Sequence, residues 1–298
     1  MKILKVTTIT ALVCMGLLVT TAFPVIAQVF PGSGKPSGER VKGYDDWHFT
    51  TSLDGWLTSF QGDITARGNT SSVNVDLADV LTLLFHGKID FTIDGRFEVS
   101  KGPWGFYADV EYVRLSDSGE VQKDITIPIF DPPEFTIRGK ADVLTEYSMG
   151  EAALSYDVYA SPCLVANMPE LILEVLGGAR YQYIRTKVDL ELVGPERLRT
   201  FDADKSKTWV DPFFGGRVVW RPGKDWITSL QTDFGGFTVS SDFTFHVRAE
   251  SAYMINRWLF VNAGYRALYT DYETGSGIDK FAYNMWVHGP FFGVGVNF

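Results

Sequence analysis

The chain has 298 residues, is 45% hydrophobic, 14% aromatic and 21% charged, carries a formal net charge of −9 and has a mean hydropathy of +0.00. Those values exclude a disordered or collagen-like chain. A bundle of spanning helices is excluded as well, because no apolar run after residue 28 approaches the roughly 20 residues such a helix needs. The aromatic and glycine content stands out, with 22 Phe, 13 Tyr, 8 Trp and 29 Gly, and it suits an all-β chain with tight turns.

Met1 to Lys5 contains two lysines, Ile9 to Ile26 is almost wholly apolar, and Val25-Ile26-Ala27 reads as a small-x-small cleavage site. Residues 1–27 are therefore expected to be a secretory signal peptide. The segment is barely long enough for an anchor helix and ends at Pro24. Cys14 sits inside the apolar stretch and not at its end, which argues against a lipoprotein signal. Loss of Lys2 and Lys5 leaves 25 basic and 36 acidic residues, a net −11 that weighs against nucleic-acid binding. Cys163 is then the one remaining thiol, so no internal disulfide is expected. Residues 28–46, with Gly32, Gly34, Pro36, Gly38 and Gly43, predict a flexible periplasmic leader, and 47–298 predicts one domain.

From Trp47 onward the dominant period is two. Ile89, Phe91, Ile93, Gly95, Phe97 and Val99 alternate with Asp90, Thr92, Asp94, Arg96, Glu98 and Ser100. The same alternation recurs over 171–184, 243–254 and 259–269, with no charged residue on the apolar parity of these four strands. Weaker versions at 48–60, 105–116, 142–158, 209–221, 226–236 and 281–298 bring the expected count to ten. Short turns at Lys101-Gly102-Pro103, Pro222-Gly223-Lys224 and Ile255-Asn256-Arg257, with a medium one at 159–170, face long polar loops at 61–87, 117–141 and 185–208. A barrel with a short-turn end and a long-loop end has this asymmetry, and an even strand number puts both termini at the short-turn end.

Periodicity alone leaves open which parity faces outward. A soluble ligand-binding calyx would turn the apolar parity inward, and a membrane barrel turns it to lipid. Three features favour the membrane. Long acidic and basic side chains are intermixed along the charged parity. Trp47, Trp104, Trp220, Trp226 and Trp258 cluster near predicted short-turn ends, where an aromatic girdle would sit. Val294, Val296 and Phe298 carry one parity to the last residue.

The final segment Gly289-Pro290-Phe291-Phe292-Gly293-Val294-Gly295-Val296-Asn297-Phe298 resembles the C-terminal strand of Gram-negative outer-membrane β-barrels. Gly177-Gly178-Ala179-Arg180-Tyr181, the run from Trp209 to Arg217, and Gly264-Tyr265-Arg266-Ala267-Leu268-Tyr269 are similar to strands of small barrels of the OmpA transmembrane-domain or opacity-protein type. The resemblance covers roughly 47–298. It implies an outer-membrane location reached through the periplasm, a surrounding of outer-membrane lipid and lipopolysaccharide, and a terminal Phe298 read by the barrel-assembly machinery. The sequence departs from the type barrels in having ten expected strands instead of eight, and no peptidoglycan-binding domain follows Phe298.

On the charged parity lie Asp90, Asp94, Arg96, Glu98, Asp109, Glu111, Glu151, Glu174, Arg180, Asp211, Arg217, Arg248, Glu250 and Arg266. A ten-stranded barrel is narrow enough for long side chains largely to fill it, and charges there must pair. The expectation is a lumenal ion-pair network in a structural or surface-interaction scaffold, with a narrow passive or selective channel as the alternative. His48, His86, His246 and His288 show no nucleophile or metal-ligand spacing, so no catalytic residue, metal or cofactor is expected, and His246 is assigned to the lumen. Acidic loops around Asp271 and Asp279 read as solvated. Residues 78–85, after an N-cap candidate at Asp76, form the one helix-like stretch, which either folds over or into the long-loop mouth or extends the flanking strands. A hairpin at 125–138 around Asp131-Pro132-Pro133 would raise the count to twelve if it entered the wall. The external loops have no ligand that the sequence names.

Overall fold

The computed structural model describes residues 44–66, 69–85, 89–126, 134–161, 170–193, 198–223 and 225–298. The expected signal peptide, the expected leader to residue 43, His86, Lys224, Asp131-Pro132-Pro133 and Cys163 lie outside them.

Twelve strands form one antiparallel sheet: β1 (Trp47–Trp56), β2 (Ser59–Ala66), β3 (Asn69–Val75), β4 (Ile89–Lys101), β5 (Trp104–Thr126), β6 (Glu134–Ala160), β7 (Leu171–Val193), β8 (Leu198–Trp220), β9 (Trp226–Gly236), β10 (Phe243–Met254), β11 (Leu259–Thr274) and β12 (Phe281–Asn297). Ten of them close a ring, because β1 pairs with β4 on one side and with β12 on the other. Closure removes both sheet edges within the wall.

The two extra strands come from the segment expected to be loop 61–87, not from the 125–138 hairpin. β1 stops at Trp56, and above it β2 takes its place beside β12, with His288 opposite Ser59 and Phe281 opposite Ala66. At the break the Leu57 amide bonds to the Pro290 carbonyl at 3.0 Å and the Trp56 indole to the Gly289 carbonyl at 3.0 Å. A Cβ on Gly289 would stand 1.8 Å from the Leu57 oxygen, so this crossing requires glycine. β3 pairs with β2, and α1 (Leu77–Phe85) returns the chain to β4. Asp76 caps that helix: its carboxylate accepts from the Asp79 amide at 2.9 Å while the Asp79 carboxylate accepts from the Asp76 amide at 3.1 Å.

The loops expected at 117–141 and 185–208 are largely strand. β5 and β6 stay paired to Thr126 and Glu134, and β7 and β8 to Val193 and Leu198. Period-two reading missed this because the sequence does not alternate there. Ser116-Asp117-Ser118-Gly119-Glu120 is polar on both faces and still donates and accepts along its ladder.

Parity sorts the wall. Leu53, Phe97, Val110, Leu154, Val175, Phe214, Val261 and Phe292 point outward and stay exposed, whereas Asp94, Asp109, Arg180, Asp233 and Arg266 point inward and are buried. The calyx arrangement, with the apolar parity inside, is therefore not the one adopted. Along β5 the outward positions run Trp104, Phe106, Ala108, Val110, Tyr112 before the first charge at Arg114, close to the length a tilted strand needs to cross lipid. Val110→Arg, midway along that belt, should cost about 2–4 kcal/mol of folding stability in lipid vesicles, read by denaturant unfolding, while Lys101→Arg at the rim should leave stability unchanged.

Candidate functional site: the ionic lumen

Of the fourteen charged residues expected on the inward parity, the side chain of Asp90 lies outside the described residues; the other thirteen face the lumen in two levels, twelve of them within 4 Å of an opposite charge and Asp211 held by Ser241. Nearest the short-turn end, Arg217 joins Glu174 and Glu98, each at 2.6 Å, and Arg96 reaches Glu98 at 2.6 Å. These groups floor a vestibule of about 950 Å³ that Trp47, Phe49, Trp226, Met254 and Phe298 also line.

Above it Asp94, Glu151, Arg180, Asp211, Asp233, His246 and Arg266 are buried. Asp109 accepts from Arg96 at 3.3 Å and from Arg266 at 3.2 Å; Arg266 continues to Glu151 at 3.3 Å. Arg180 bridges Glu151 and Asp233, both at 2.7 Å. Arg248 joins Asp54 at 2.8 Å and Glu250 at 3.0 Å. Asp211 is held by the Ser241 amide at 2.7 Å and hydroxyl at 2.6 Å. His246 accepts from the Arg266 Nε–H at 3.1 Å through Nε2, so Nδ1 carries the proton donated to Asp233 at 2.9 Å.

Each central guanidinium also stacks on an aromatic face: Arg96 over Tyr107 at 4.3 Å, Arg180 over Phe213 at 4.8 Å, Arg248 over Phe291 at 4.2 Å and Arg266 over Trp56 at 5.4 Å. Rings and carboxylates together take the place of water around groups whose desolvation costs several kcal/mol each.

Sequence reasoning left Asp54, Tyr107, Gln231, Asp233 and Asn262 out of this network. Asp233 and Gln231 alternate with Leu230, Thr232 and Phe234, so parity could have found them in a strand whose pattern is only weakly apolar. Parity could not have found the third level. Toward the long-loop end the lumen turns apolar, with Trp56, Val113, Tyr147, Met149, Trp209, Leu268, Tyr283, Met285, Val287 and Phe291 in one buried cluster. Phe60, Ile64 and Val73 of the β2–β3 hairpin pack against it, Phe60 edge-on to Tyr147 at 6.0 Å between ring centroids. An inward apolar residue looks the same in sequence as an outward one.

The rim is aromatic. Trp47, Trp104, Trp220, Trp226 and Trp258 are about half exposed or more and stand at the short-turn end, each at or beside a strand terminus. Trp104 packs on Tyr156 and Trp226 on Tyr253. Phe298 exchanges backbone hydrogen bonds with Phe49 at 2.9 and 3.0 Å, and their rings stack at 5.6 Å. The last residues of the expected leader are held, not free: the Tyr44 carbonyl accepts from the Gly102 amide at 3.0 Å and its hydroxyl donates to Asp157. Burial and that carboxylate push the Tyr44 hydroxyl above the ordinary phenol range.

A closed ring with an apolar outside and an ionic inside is the fold of an outer-membrane β-barrel. No protein-family model matches the chain, and no curated protein matches it. Among solved structures it is similar to the attachment invasion locus protein Ail of Yersinia pestis, at 10% identity over 85% of this chain and 99% of that one with a TM-score of 0.32. It is similar to the translocator domain of autotransporter NalP from Neisseria meningitidis, at 9% identity over 96% and 97% with a TM-score of 0.35. It is similar also to the P. putida toluene transporter TodX, at 10% identity over 85% and 90% with a TM-score of 0.27. These likenesses concern architecture and transfer no residue role.

Two variants probe the network. Arg180→Met leaves Asp233 buried without a cation and Glu151 with Arg266 alone, and should cost about 3–5 kcal/mol, seen as a lower unfolding temperature in detergent. Gly293→Ala should also destabilise, since its Cβ would lie 1.8 Å from Asp54 Oδ1.

Proposed function

We propose that the chain is an outer-membrane scaffold that interacts through the sheet standing beyond the long-loop end, and that its lumen ions brace the wall and carry out no catalysis. The observation that carries this reading is the complete burial of Asp94, Arg180, Asp233, His246 and Arg266 in the middle of the lumen. Side chains occupy the space that a conducting path would need, and the apolar cluster above them adds a second barrier.

The protruding sheet supports the interaction half of the reading. Beyond Leu115, β5 pairs only with β6 among the described residues, and before Phe213, β8 pairs only with β7. The four strands β5–β8 therefore continue for about 35 Å or more along their own direction, at about 3.3 Å per residue, with an edge on each side that pairs with no further strand among the described residues; on β8 the Val210 carbonyl accepts from the Ser240 hydroxyl. Open edges offer unpaired amides and carbonyls to a partner. In this reading the outward belt meets outer-membrane lipid, with lipopolysaccharide at the long-loop side, and Phe298 with its strand is the segment presented to the assembly machinery after export through the periplasm.

A narrow channel is the competing reading, and planar-bilayer recording separates the two. The scaffold reading predicts no reproducible conductance steps from the refolded protein. Regular steps whose ion selectivity changes in Arg248→Gln would contradict it.

A further inference from the structure

Following one row of inward residues around the wall brings three acids together. Asp54 on β1 stands opposite Asp94 on β4, and Asp94 stands opposite Glu111 on β5. Residues in such register have Cβ atoms about 4.5–5.5 Å apart. Asp54 is satisfied by Arg248 at 2.8 Å and by the Asn262 amide at 3.0 Å. Asp94 and Glu111 are not: both are fully buried, and none of their four carboxyl oxygens has a hydrogen-bond partner. The nearest cations are Arg248 Nη1 and Arg266 Nη1, each 3.7 Å from Asp94, with Arg266 Nη1 also 3.7 Å from Glu111. Arg266 Nη1 is already hydrogen-bonded to Asp109 at 3.2 Å.

The charge count agrees. Among the described residues the buried lumen holds seven carboxylates, Asp54, Asp94, Asp109, Glu111, Glu151, Asp211 and Asp233, against four guanidinium groups, Arg96, Arg180, Arg248 and Arg266. The hydrogen bonds of His246 leave it neutral and so do not reduce the surplus. Asp109, Glu151 and Asp233 each meet two partners and Asp211 is held by two donors of Ser241, so among these seven acids Asp94 and Glu111 are the ones whose carboxylates accept no hydrogen bond. Two neighbouring carboxylates in a medium of low dielectric do not both ionise.

We propose that Asp94 and Glu111 form a proton-binding site: one of the two neighbouring carboxyls holds a proton that stays in the closed lumen at neutral pH. The pair is faced by Asp54 from β1, Asp109 from β5, Glu151 and Tyr147 from β6, Arg248 from β10, Arg266 from β11 and Tyr283 from β12. A proton fits better than a divalent ion, because among the described residues no group of three or more His, Cys, Asp or Glu is placed to hold a metal. The site depends on the lumen geometry and not on whether the barrel conducts.

Infrared spectroscopy of the folded protein in lipid tests this directly. At neutral pH the wild type should show the carbonyl stretch of a protonated carboxyl, and Asp94→Asn and Glu111→Gln should each lose it. Each variant should unfold at the wild-type temperature or higher, whereas Asp233→Asn, which takes a charge from Arg180, should unfold lower. The native state here binds a proton that the unfolded chain releases, so wild-type stability should fall as pH is raised from mildly acidic to alkaline values, and the variants should lose that component of the slope. Absence of the protonated band in the wild type, a measurement that needs no variant to fold, would overturn the proposal. So would destabilisation by both variants to the extent seen with Asp233→Asn, or an unfolding temperature that depends on sodium or potassium in the wild type but not in Glu111→Gln.

Discussion

Everything in this barrel depends on placing charge where lipid cannot reach it and then satisfying it there. With the outer face apolar, each ionised side chain of the wall must find its partners across a lumen a few side chains wide. Arg266 shows what that requires. It projects from β11, reaches Asp109 on β5 and Glu151 on β6, donates to His246 on β10, and lies over the Trp56 ring from β1. One side chain thus ties five of the ten wall strands together. Arg180 and Arg248 do the same from their own strands, so the network works as a set of struts.

The struts explain irregularities elsewhere. Gly293 sits on β12 between Asp54 and Asn262 with no side chain, because the Asp54 carboxylate occupies that space on its way to Arg248. Gly264 leaves room for the Phe291 ring, the surface on which Arg248 stacks. The break between β1 and β2 lies immediately above this region. Trp56 closes the ionic level from β1, and the chain beyond Thr58 contributes Phe60 and Ile64 to the apolar level. Ion pairs below and aromatic packing above are two ways of filling one lumen, and the strand break falls at their boundary.

Period-two alternation made the architecture legible, because a wall strand between lipid and lumen must write its two environments into alternate residues. Ile89 to Ser100 does so without exception, and the ten wall strands and the inward placement of Arg180 and Arg266 were readable on that basis; for 78–85 an N-cap candidate before an apolar run left a helix and an extension of the flanking strands both open, and the structure has the helix. Alternation carries no information where the two faces are alike. From Ser116 to Glu120 the sequence is polar at both parities, so the continuation of β5 looked like a loop. Tyr283, Met285 and Val287 face a lumen that is itself apolar, so they could not be told from lipid-facing residues. The β2–β3 hairpin was hidden for another reason: β2 follows β1 along one side of β12, and the strand break depends on a three-dimensional crossing at Gly289. The surplus of acids over bases could be counted in sequence, but its concentration on Asp94 and Glu111 required the register.

Residue-specific polarisation transfer by solid-state NMR, with the protein in lipid bilayers, tests the central claim most directly. Signals from Phe97, Val110, Leu154 and Phe292 should build up from acyl-chain protons, while the guanidinium groups of Arg180 and Arg266 should receive magnetisation from neither acyl chains nor bulk water. Rapid transfer from bulk water to Arg180 and Arg266, or lipid contact at those arginines in place of the apolar belt, would contradict a sealed ionic lumen inside an apolar wall.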